Sequence, residues 1–429
     1  MESKIGIELF FTDTPGIGGR LKKYPEDFEV EEIIDLPKLN PGEYTLAKVW
    51  TRNWETNRLV RVMAKSLNIS RNEISFAGTK DKRAITVQWM SFKAPLEKVE
   101  ELNINDVEIL DVKSAHRSLY IGAHLGNQFK ITVRDIDKEL DEAVEIVAET
   151  SDVIKNEDGF PNWFGIQRFG ALRPITHEVG KYIVKGDYEK AVQTYVANPF
   201  ENEDEICYKA RVFLEENWDP EEALKIYPDI LFYEKEVLSS LVKNPENYVK
   251  ALKKLPHNLL TMFIHAYQSF LFNKMVSLRL KRGYPLNDVC EGDIILPTKK
   301  NGLPNKDTPV EVKEKNLEKC SMRVREGKGF VSAPLFGTRT YFSKGIQGQI
   351  EREVIEEEGL HKDDFAIPEM SSISSSGTRR EIFAVVRNLE HEAVGKGIDL
   401  SFSLNKGSYA TTLMREFMKL SGKEIHKYT

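Results

Sequence analysis

The sequence predicts an α+β protein in which one domain is assembled from both ends of the chain. In the first 158 residues, short alternating apolar segments are interspersed with amphipathic helical segments, as in α+β folds. Residues 175–285 look mostly helical, and alternating strand patterns return near the end of the chain. We therefore predict a domain formed by residues 1–158 and 385–429, with residues 159–384 inserted between its two parts.

Length and composition indicate a globular protein of more than one domain. The chain has 429 residues, 41% of them hydrophobic and 30% charged, and a single ordinary domain is shorter than this. The N-terminus lacks an apolar signal segment, and no run approaches the roughly 18 apolar residues of a membrane span. We expect a cytoplasmic protein with no membrane partner.

The cysteines and histidines do not suggest a metal site or a disulfide framework. Cys207, Cys290 and Cys320 lie far apart, and the eight histidines are scattered. Zinc sites and disulfide frameworks show closer spacing. The sequence therefore predicts a protein without metal.

The acidic charge of the chain is concentrated in one segment. The net charge is −6, but residues 201–250 contain 13 Asp or Glu and six Lys or Arg, a net charge of −7. The rest of the chain therefore carries a net charge of +1. A basic surface for nucleic acid elsewhere is compatible with this distribution.

The first 158 residues contain several predicted elements. Apolar Phe28, Val30 and Ile33 predict a strand that starts after Pro25. Residues 44–50, 85–92 and 125–133 predict further strands. Two amphipathic helices are indicated by apolar stripes: Leu59, Val60, Met63, Ala64 and Leu67 in one, and Leu140, Ala143, Val144, Val147 and Ala148 in the other.

The glycines at residues 16–19 suggest a phosphate loop only superficially. They lack the G-K-[ST] ending and the strand and helix that frame such loops, so we predict a flexible loop. Lys22 and Phe28 flank a turn that could offer a cation and a stacking ring. From this stretch alone, a core aromatic beside a surface lysine is the favoured interpretation.

The inserted segment is mostly helical, with some β-rich and polar parts. Residues 260–280 predict a buried helix, although His265, Tyr267 and Gln268 interrupt its apolar pattern. Residues 371–377 contain five serines and predict a flexible linker. Residues 292–342 look β-rich and carry several basic side chains. These side chains either bind phosphates or form a solvated surface, and they are Lys313, Lys315, Lys319, Arg323, Arg325 and Lys328.

Residues 382–429 again show the interspersed strand and helix patterns of the first 158 residues. Residues 382–386 predict a buried strand, and apolar Ile398, Leu400, Phe402 and Leu404 alternate in another. Residues 406–412 then turn into a helix whose apolar side contains Met414, Phe417, Met418 and Leu420.

A charged turn at Asp81 is the strongest functional candidate. A strand-like run at residues 74–76 meets a turn signal at Gly78, and Asp81 follows, enclosed by three cations. These cations would keep the carboxylate ionised and would attract an anionic substrate. A solvated charged turn is the alternative for this stretch alone. The three cations are Lys80, Lys82 and Arg83.

Five motifs in one order make the chain resemble the TruD family of tRNA pseudouridine synthases. They are Lys22 with PEDF at residues 25–28, FAGTKDKRA at 76–84, GNQF at 126–129, NWFGIQRFG at 162–170, and GSYAT at 407–411 with Arg415 and Glu416. The resemblance implies a pseudouridine synthase catalytic domain with a central antiparallel sheet, residues 1–158 and 385–429, interrupted by a TRUD domain, residues 159–384.

The resemblance also implies roles for individual residues. Asp81 corresponds to the catalytic aspartate and Lys22 to its basic partner. Residues implied to contact the substrate are Phe28, Asn127, Phe129 and Tyr409. Candidate RNA contacts are Lys80, Lys82, Arg83 and Arg168. At position 409 bacterial relatives often carry phenylalanine, so the polar contacts of the tyrosine hydroxyl are open.

The implied reaction is isomerisation of a uridine in tRNA, with position 13 of the D arm as the leading target. It consumes nothing and needs no cofactor, and a monomer without a protein partner would suffice. A non-catalytic RNA-binding or RNA-chaperone protein on the same scaffold is the main alternative. A glycosidase would need paired carboxylates in one cleft, for which Glu26 and Asp27 are the candidates.

Overall fold

The structure is a computed structural model that describes residues 2–420 and 422–428. The chain divides into two compact units. The first, here called the sheet unit, contains Phe10–Phe160, Ala384–Leu420 and Lys427–Thr429. The second, called the helical unit, contains Met1–Leu9, Pro161–Phe383 and Ser421–His426.

The described residues form fourteen strands. In chain order they are β1 (Gly18–Arg20), β2 (Phe28–Ile33), β3 (Tyr44–Arg52), β4 (Ile74–Phe76), β5 (Ile85–Phe92), β6 (Val107–Ala115), β7 (Gly126–Ile136), β8 (Gly159–Pro161), β9 (Ile294–Pro297), β10 (Val310–Glu311), β11 (Gly329–Leu335), β12 (Thr378–Glu381), β13 (Phe383–Val394) and β14 (Gly397–Asn405).

The same residues form thirteen α-helices, together with short 3₁₀ helices. The α-helices are α1 (Thr56–Leu67), α2 (Leu96–Glu100), α3 (Leu140–Asn156), α4 (Thr176–Val184), α5 (Tyr188–Val196), α6 (Glu205–Asn217), α7 (Pro220–Ile226), α8 (Phe232–Lys243), α9 (Tyr248–Leu252), α10 (His257–Lys281), α11 (Leu317–Arg325), α12 (Gly345–Glu357) and α13 (Ala410–Met418).

A ten-stranded sheet organises the sheet unit. Its main order is β6-β3-β5-β2-β7-β14-β13-β8, while β1 pairs with β7 and β4 pairs with β5. The β2–β5 pair is parallel, and the neighbouring pairs with a described register are otherwise antiparallel. The predicted α+β class is therefore confirmed, with one parallel pair inside a mainly antiparallel sheet.

Helix α1 covers part of this sheet with the predicted apolar stripe. Leu59, Val60 and Met63 pack in one buried cluster with residues of β3 and β5. Burial of each such side chain contributes about 1.5–3 kcal/mol. Glu55 caps the helix by accepting hydrogen bonds from two backbone N–H groups of its first turn, and Asn68 ends it in a left-handed conformation.

Two other local predictions in the sheet unit need correction. Helix α3 buries Ala143, Ile146 and Val147, whereas the predicted Val144 and Ala148 are only half-buried. Of the glycines predicted as a flexible loop, Gly18 and Gly19 lie in β1 instead. A Cβ on Gly19, where φ is +92°, would lie 2.8 Å from the Arg134 carbonyl oxygen on β7. Glycine is required here by close strand pairing.

The helical unit combines α4–α12 with a four-stranded sheet in the order β10-β9-β11-β12. Helix α10 packs against α4, α12 and β11. Tyr267 and Gln268 are buried on it and His265 is exposed. The prediction of a buried helix is confirmed. No helix within residues 2–420 and 422–428 is both long and apolar enough to cross a membrane.

Two predictions in the helical unit are wrong in part. The basic stretch predicted as β-rich contains α11, and Lys319, Arg323 and Arg325 lie on this helix. The serine-rich segment begins in a 3₁₀ helix, Pro368–Ile373. It then accepts hydrogen bonds from Thr338 and Arg339 through backbone oxygens, so it is held in place rather than free.

Candidate active site

Lys22 and Asp81, 59 positions apart, form an ion pair in the sheet unit. The Lys22 Nζ donates to the Asp81 Oδ2 at 2.7 Å. The lysine side chain is 8% exposed and the aspartate side chain is 57% exposed. Asp81 lies in the irregular segment between the paired strands β4 and β5. One carboxylate is therefore held by a buried cation and open to an incoming molecule.

The backbone holds Lys22 in an unusual conformation. Its φ is +52°, a left-handed value that is uncommon for residues other than glycine and asparagine. The ammonium nitrogen lies 4.2 Å from the ring centroid of Phe28, within the range of a cation–π contact. The ion pair is thus oriented by both backbone and ring.

Asp27 supports the turn that separates Lys22 from Phe28. Its buried carboxylate accepts a hydrogen bond from the Tyr24 backbone N–H at 2.8 Å and one from Arg134 Nε at 2.6 Å. Glu26 is exposed and pairs with Arg52 at 2.5 Å. Since Asp27 is buried against structural partners, the two acids do not form the open carboxylate pair that a glycosidase needs.

A second lysine–carboxylate pair joins Lys80, which precedes Asp81 in the same irregular segment, to Glu32 on β2. Lys80 Nζ contacts Glu32 Oε2 at 3.1 Å, and both side chains are buried. Burial raises the pKa of the Glu32 carboxyl and lowers the pKa of the Lys80 ammonium, and the contact between them opposes both shifts. The Lys80 backbone N–H also donates to the Thr56 hydroxyl at the start of α1, at 2.9 Å.

Lys80 also orients Asn127. Its Nζ donates to the Asn127 Oδ1 at 2.7 Å, and strand pairing places Glu32 opposite Asn127. An ammonium has only donors, so the carbonyl oxygen of the amide must face it. The Asn127 NH₂ group is left to point elsewhere, as a donor.

The predicted aromatic contacts pack on one another. The Phe28 and Phe129 rings meet edge to face with centroids 6.1 Å apart, and Phe129 stacks on Phe402 at 5.4 Å. Phe28 and Phe129 are both buried. They form an apolar layer next to Lys22, and their contact with substrate stays a prediction.

Tyr409 lies at the start of α13 and is half-buried. It follows β14, whose last residue Asn405 pairs with Gly126, directly before Asn127. Tyr409 therefore follows the end of β14 that pairs with the start of β7, where Asn127 lies. A substrate contact of its ring stays a prediction.

The candidate RNA-contacting cations divide between the two units. Lys82 and Arg83 are exposed beside Asp81, and the Arg83 guanidinium donates to the Lys23 carbonyl oxygen at 2.8 Å. Arg168 belongs to the helical unit, where its Nε donates to Ser269 on α10 at 3.1 Å. A role of these residues toward RNA stays a prediction.

Sequence reasoning missed Glu32. The predicted inward face of β2 was Phe28, Val30 and Ile33, but the strand buries Phe28, Val30 and Glu32 and exposes Ile33. Strict alternation from Phe28 would have placed Glu32 inward. An acid at an inward position of a strand is the signal that could have revealed it.

The site has the features of an acid/base or nucleophilic enzyme. An open carboxylate is held by a buried lysine, with a fixed amide donor and aromatic rings near by, and such groups are typical of catalytic sites. Within the part of the chain described by the structure, no group of three or more His, Cys, Asp or Glu is arranged to hold a metal ion.

Comparisons with known proteins agree on one family. The profile described as tRNA pseudouridine synthase D (TruD) matches residues 4–417. A Methanococcoides burtonii protein named "Probable tRNA pseudouridine synthase D" is 42% identical over 98% of this chain and 97% of its own length. A Thermococcus sibiricus protein with the same name is 35% identical over 96% of this chain and 97% of its own.

A solved structure agrees as well. The crystal structure of a Methanosarcina mazei protein, described as "Putative tRNA pseudouridine synthase D (TruD)", has a TM-score of 0.86 and 39% identity, and the match covers 98% of both chains. This chain belongs to the TruD family of tRNA pseudouridine synthases, an isomerase family. The resemblance predicted from the five motifs is confirmed.

Proposed function

We propose that this protein converts a uridine in tRNA to pseudouridine, with Asp81 as the catalytic carboxylate. The observation that carries the proposal is the 2.7 Å contact between the buried Lys22 ammonium and the exposed Asp81. Lys22 fixes the direction of the carboxylate, and more than half of the Asp81 side chain stays open to a substrate. The family membership supplies the reaction class.

The reaction requires few groups. The glycosidic C–N bond of the uridine breaks, the uracil turns in the site, and a new bond forms between the sugar and a ring carbon. One proton leaves that carbon and one is gained by the ring nitrogen, so nothing is consumed. Asp81 acts as a nucleophile or as a base at the sugar, and the site retains the detached base.

Asn127 supports recognition of the base. Its oxygen is occupied by Lys80, so its NH₂ group donates to a carbonyl oxygen of uracil. Extruding the target uridine from its stack costs a few kcal/mol. Stacking on the Tyr409 ring offsets this cost, because base–aromatic stacking is worth about 1–3 kcal/mol.

The proposal also covers the target uridine, the residues that contact RNA phosphates and the domain organisation. We place the target at position 13 in the D arm of tRNA. Exposed Lys82 and Arg83 contact phosphates beside the extruded nucleotide, since they lie next to Asp81. Residues 159–384 are assigned as the inserted TRUD domain, and the protein acts in the cytoplasm as a monomer.

Purified protein and unmodified tRNA transcripts, without metal or cofactor, provide the test. Pseudouridine is mapped by carbodiimide treatment and primer extension. A single stop at one uridine that depends on Asp81 is the expected result. Turnover by Asp81→Asn near the parent rate would refute the assignment of Asp81. Tight tRNA binding without any stop would favour the non-catalytic RNA-binding alternative.

A further inference from the structure

One loop of the sheet unit exposes two large apolar side chains beside the site. In residues 119–125, here called the Tyr120 loop, Tyr120 is 71% exposed and Ile121 is 70% exposed. They are the two most exposed large apolar side chains among the described residues of this unit. Single exposed apolar residues are normal on protein surfaces, but two adjacent ones at a candidate RNA site call for a partner.

The centre of the Tyr120 loop is anchored to the segments that carry the site. The Gly122 N–H donates to the Ala77 carbonyl oxygen at 2.7 Å, and a His124 ring nitrogen lies 3.1 Å from the same oxygen. Lys406 Nζ donates to the Gly122 carbonyl oxygen at 2.5 Å. Ala77 precedes Asp81 by four residues, and Lys406 precedes Tyr409 by three.

The ends of the loop are held as firmly as its centre. The Leu119 N–H donates to the Ser91 hydroxyl on β5, and the Leu125 N–H donates to the Ile33 carbonyl oxygen at the end of β2. Gly122, with φ at +88°, makes the turn at the tip. The two apolar side chains are thus presented on a fixed support rather than on a free segment.

We propose that Tyr120 and Ile121 pack against the bases that flank the target uridine and fill the gap that it leaves in the stack. This inference rests on the proposed function. Apolar side chains inserted between bases stabilise an unstacked nucleic acid, and an aromatic ring can stack on any base because every base has a π face. A rigidly anchored loop loses little conformational entropy when it binds.

The first test measures turnover. The double variant Tyr120→Ser, Ile121→Ser should lower kcat/KM on folded tRNA by about 10- to 100-fold, the range expected for a lost stacking contact. Tyr120→Phe alone should stay close to the parent. The matched control is Leu110→Ser, since Leu110 is a 45% exposed apolar residue on β6 of the same unit. It should not change kcat/KM.

The second test measures unstacking without turnover. In an Asp81→Asn background, tRNA carries 2-aminopurine next to the mapped uridine, or next to uridine 13 if no product forms. Binding should raise the fluorescence of this base, and adding the two serine substitutions should abolish the rise. An unchanged rise, or kcat/KM of the double variant within twofold of the parent, would overturn the role of the loop. Absence of pseudouridine with the parent protein would instead overturn the proposed function. The fluorescence result would still show whether Tyr120 and Ile121 unstack the bases of bound tRNA.

Discussion

Two lysine–carboxylate pairs lie close together in the sheet unit, and they differ in which partner is exposed. In the Lys22–Asp81 pair the lysine is buried and the acid is open to solvent. In the Lys80–Glu32 pair both partners are buried, and the Glu32 side chain is 0% exposed. Each pair joins a lysine to a carboxylate, so the difference comes from where the fold places the acid: Glu32 lies on the inward face of β2, and Asp81 lies in the irregular segment between β4 and β5.

We propose that this difference separates a reactive acid, Asp81, from a positioning acid, Glu32. A partly exposed ion pair contributes little to stability, so Asp81 is free to serve chemistry. A buried pair carries a desolvation cost that its contact must offset, and removal of one partner leaves an uncompensated charge. Glu32 therefore balances Lys80, and Lys80 in turn orients Asn127.

Asp81→Asn should lower the rate of pseudouridine formation by about 10³-fold or more, near the upper range for removal of a catalytic acid/base group. Its melting temperature should stay close to that of the parent, because the amide oxygen of the new side chain can still accept a hydrogen bond from Lys22 and water reaches this exposed side chain. Single-turnover kinetics and thermal unfolding measure the two effects. Asp111→Asn, which removes another exposed acid paired with a lysine at 2.8 Å, is the control and should change neither.

Glu32→Ala should destabilise the protein by about 3–5 kcal/mol, because it leaves Lys80 buried without its carboxylate. Urea denaturation measures the change. The neighbouring Glu31→Ala removes an exposed partner of Lys48 and should cost less than about 1 kcal/mol. Equal losses for the two variants would contradict the distinction between buried and exposed pairs.

His177 provides a buried titratable group in the helical unit for comparison. Its Nε2 lies 2.8 Å from the Lys4 carbonyl oxygen, its Nδ1 has no protein partner, and it packs against Phe169 and Phe270. Burial lowers the pKa of His177 to about 4. The ring therefore stays neutral in the folded protein down to that pH, while the unfolded chain takes up a proton near pH 6.5.

The unfolded state consequently binds more protons between pH 6.5 and 4, so folding stability falls as the pH falls through this window. The full contribution is about 3 kcal/mol. His177→Phe should flatten this dependence in urea denaturation at pH 7, 5.5 and 4.5. His257→Gln, at an exposed histidine, should leave the dependence intact. An identical pH slope in His177→Phe and the parent would refute the effect.

Of the four substitutions tested at buried or site residues, Asn127→Asp should have the smallest effect. The new carboxylate would still accept from Lys80 but could not donate to uracil, so kcat/KM should fall by about tenfold, the value of one hydrogen bond. Stability should change little, because the Lys80 contact survives. If Asn127→Asp retained full kcat/KM, the proposed orientation of the amide would be wrong.

The sequence alone determined the periodic elements and the candidate reactive residues. Helix α1 and strand β14 follow from the local spacing of apolar residues. Apolar residues at helical or alternating spacing lie on one face of a helix or strand, and burial of that face is favourable. The pairing of Asp81 with Lys22 was implied by motifs, and the structure brings the two together. Their roles in catalysis stay predictions, as do the domain assignments.

Only the tertiary structure decided how the site is organised. The pairing of β2 with β7 brings Glu32 opposite Asn127, and the serine-rich segment is held by hydrogen bonds from a distant loop. The Tyr120 loop is anchored by Ala77 and Lys406, which are far apart in the chain. These contacts depend on strand register and on long-range burial, which local spacing does not encode. A lysine and a carboxylate therefore form an open pair at Asp81 and a buried pair at Glu32.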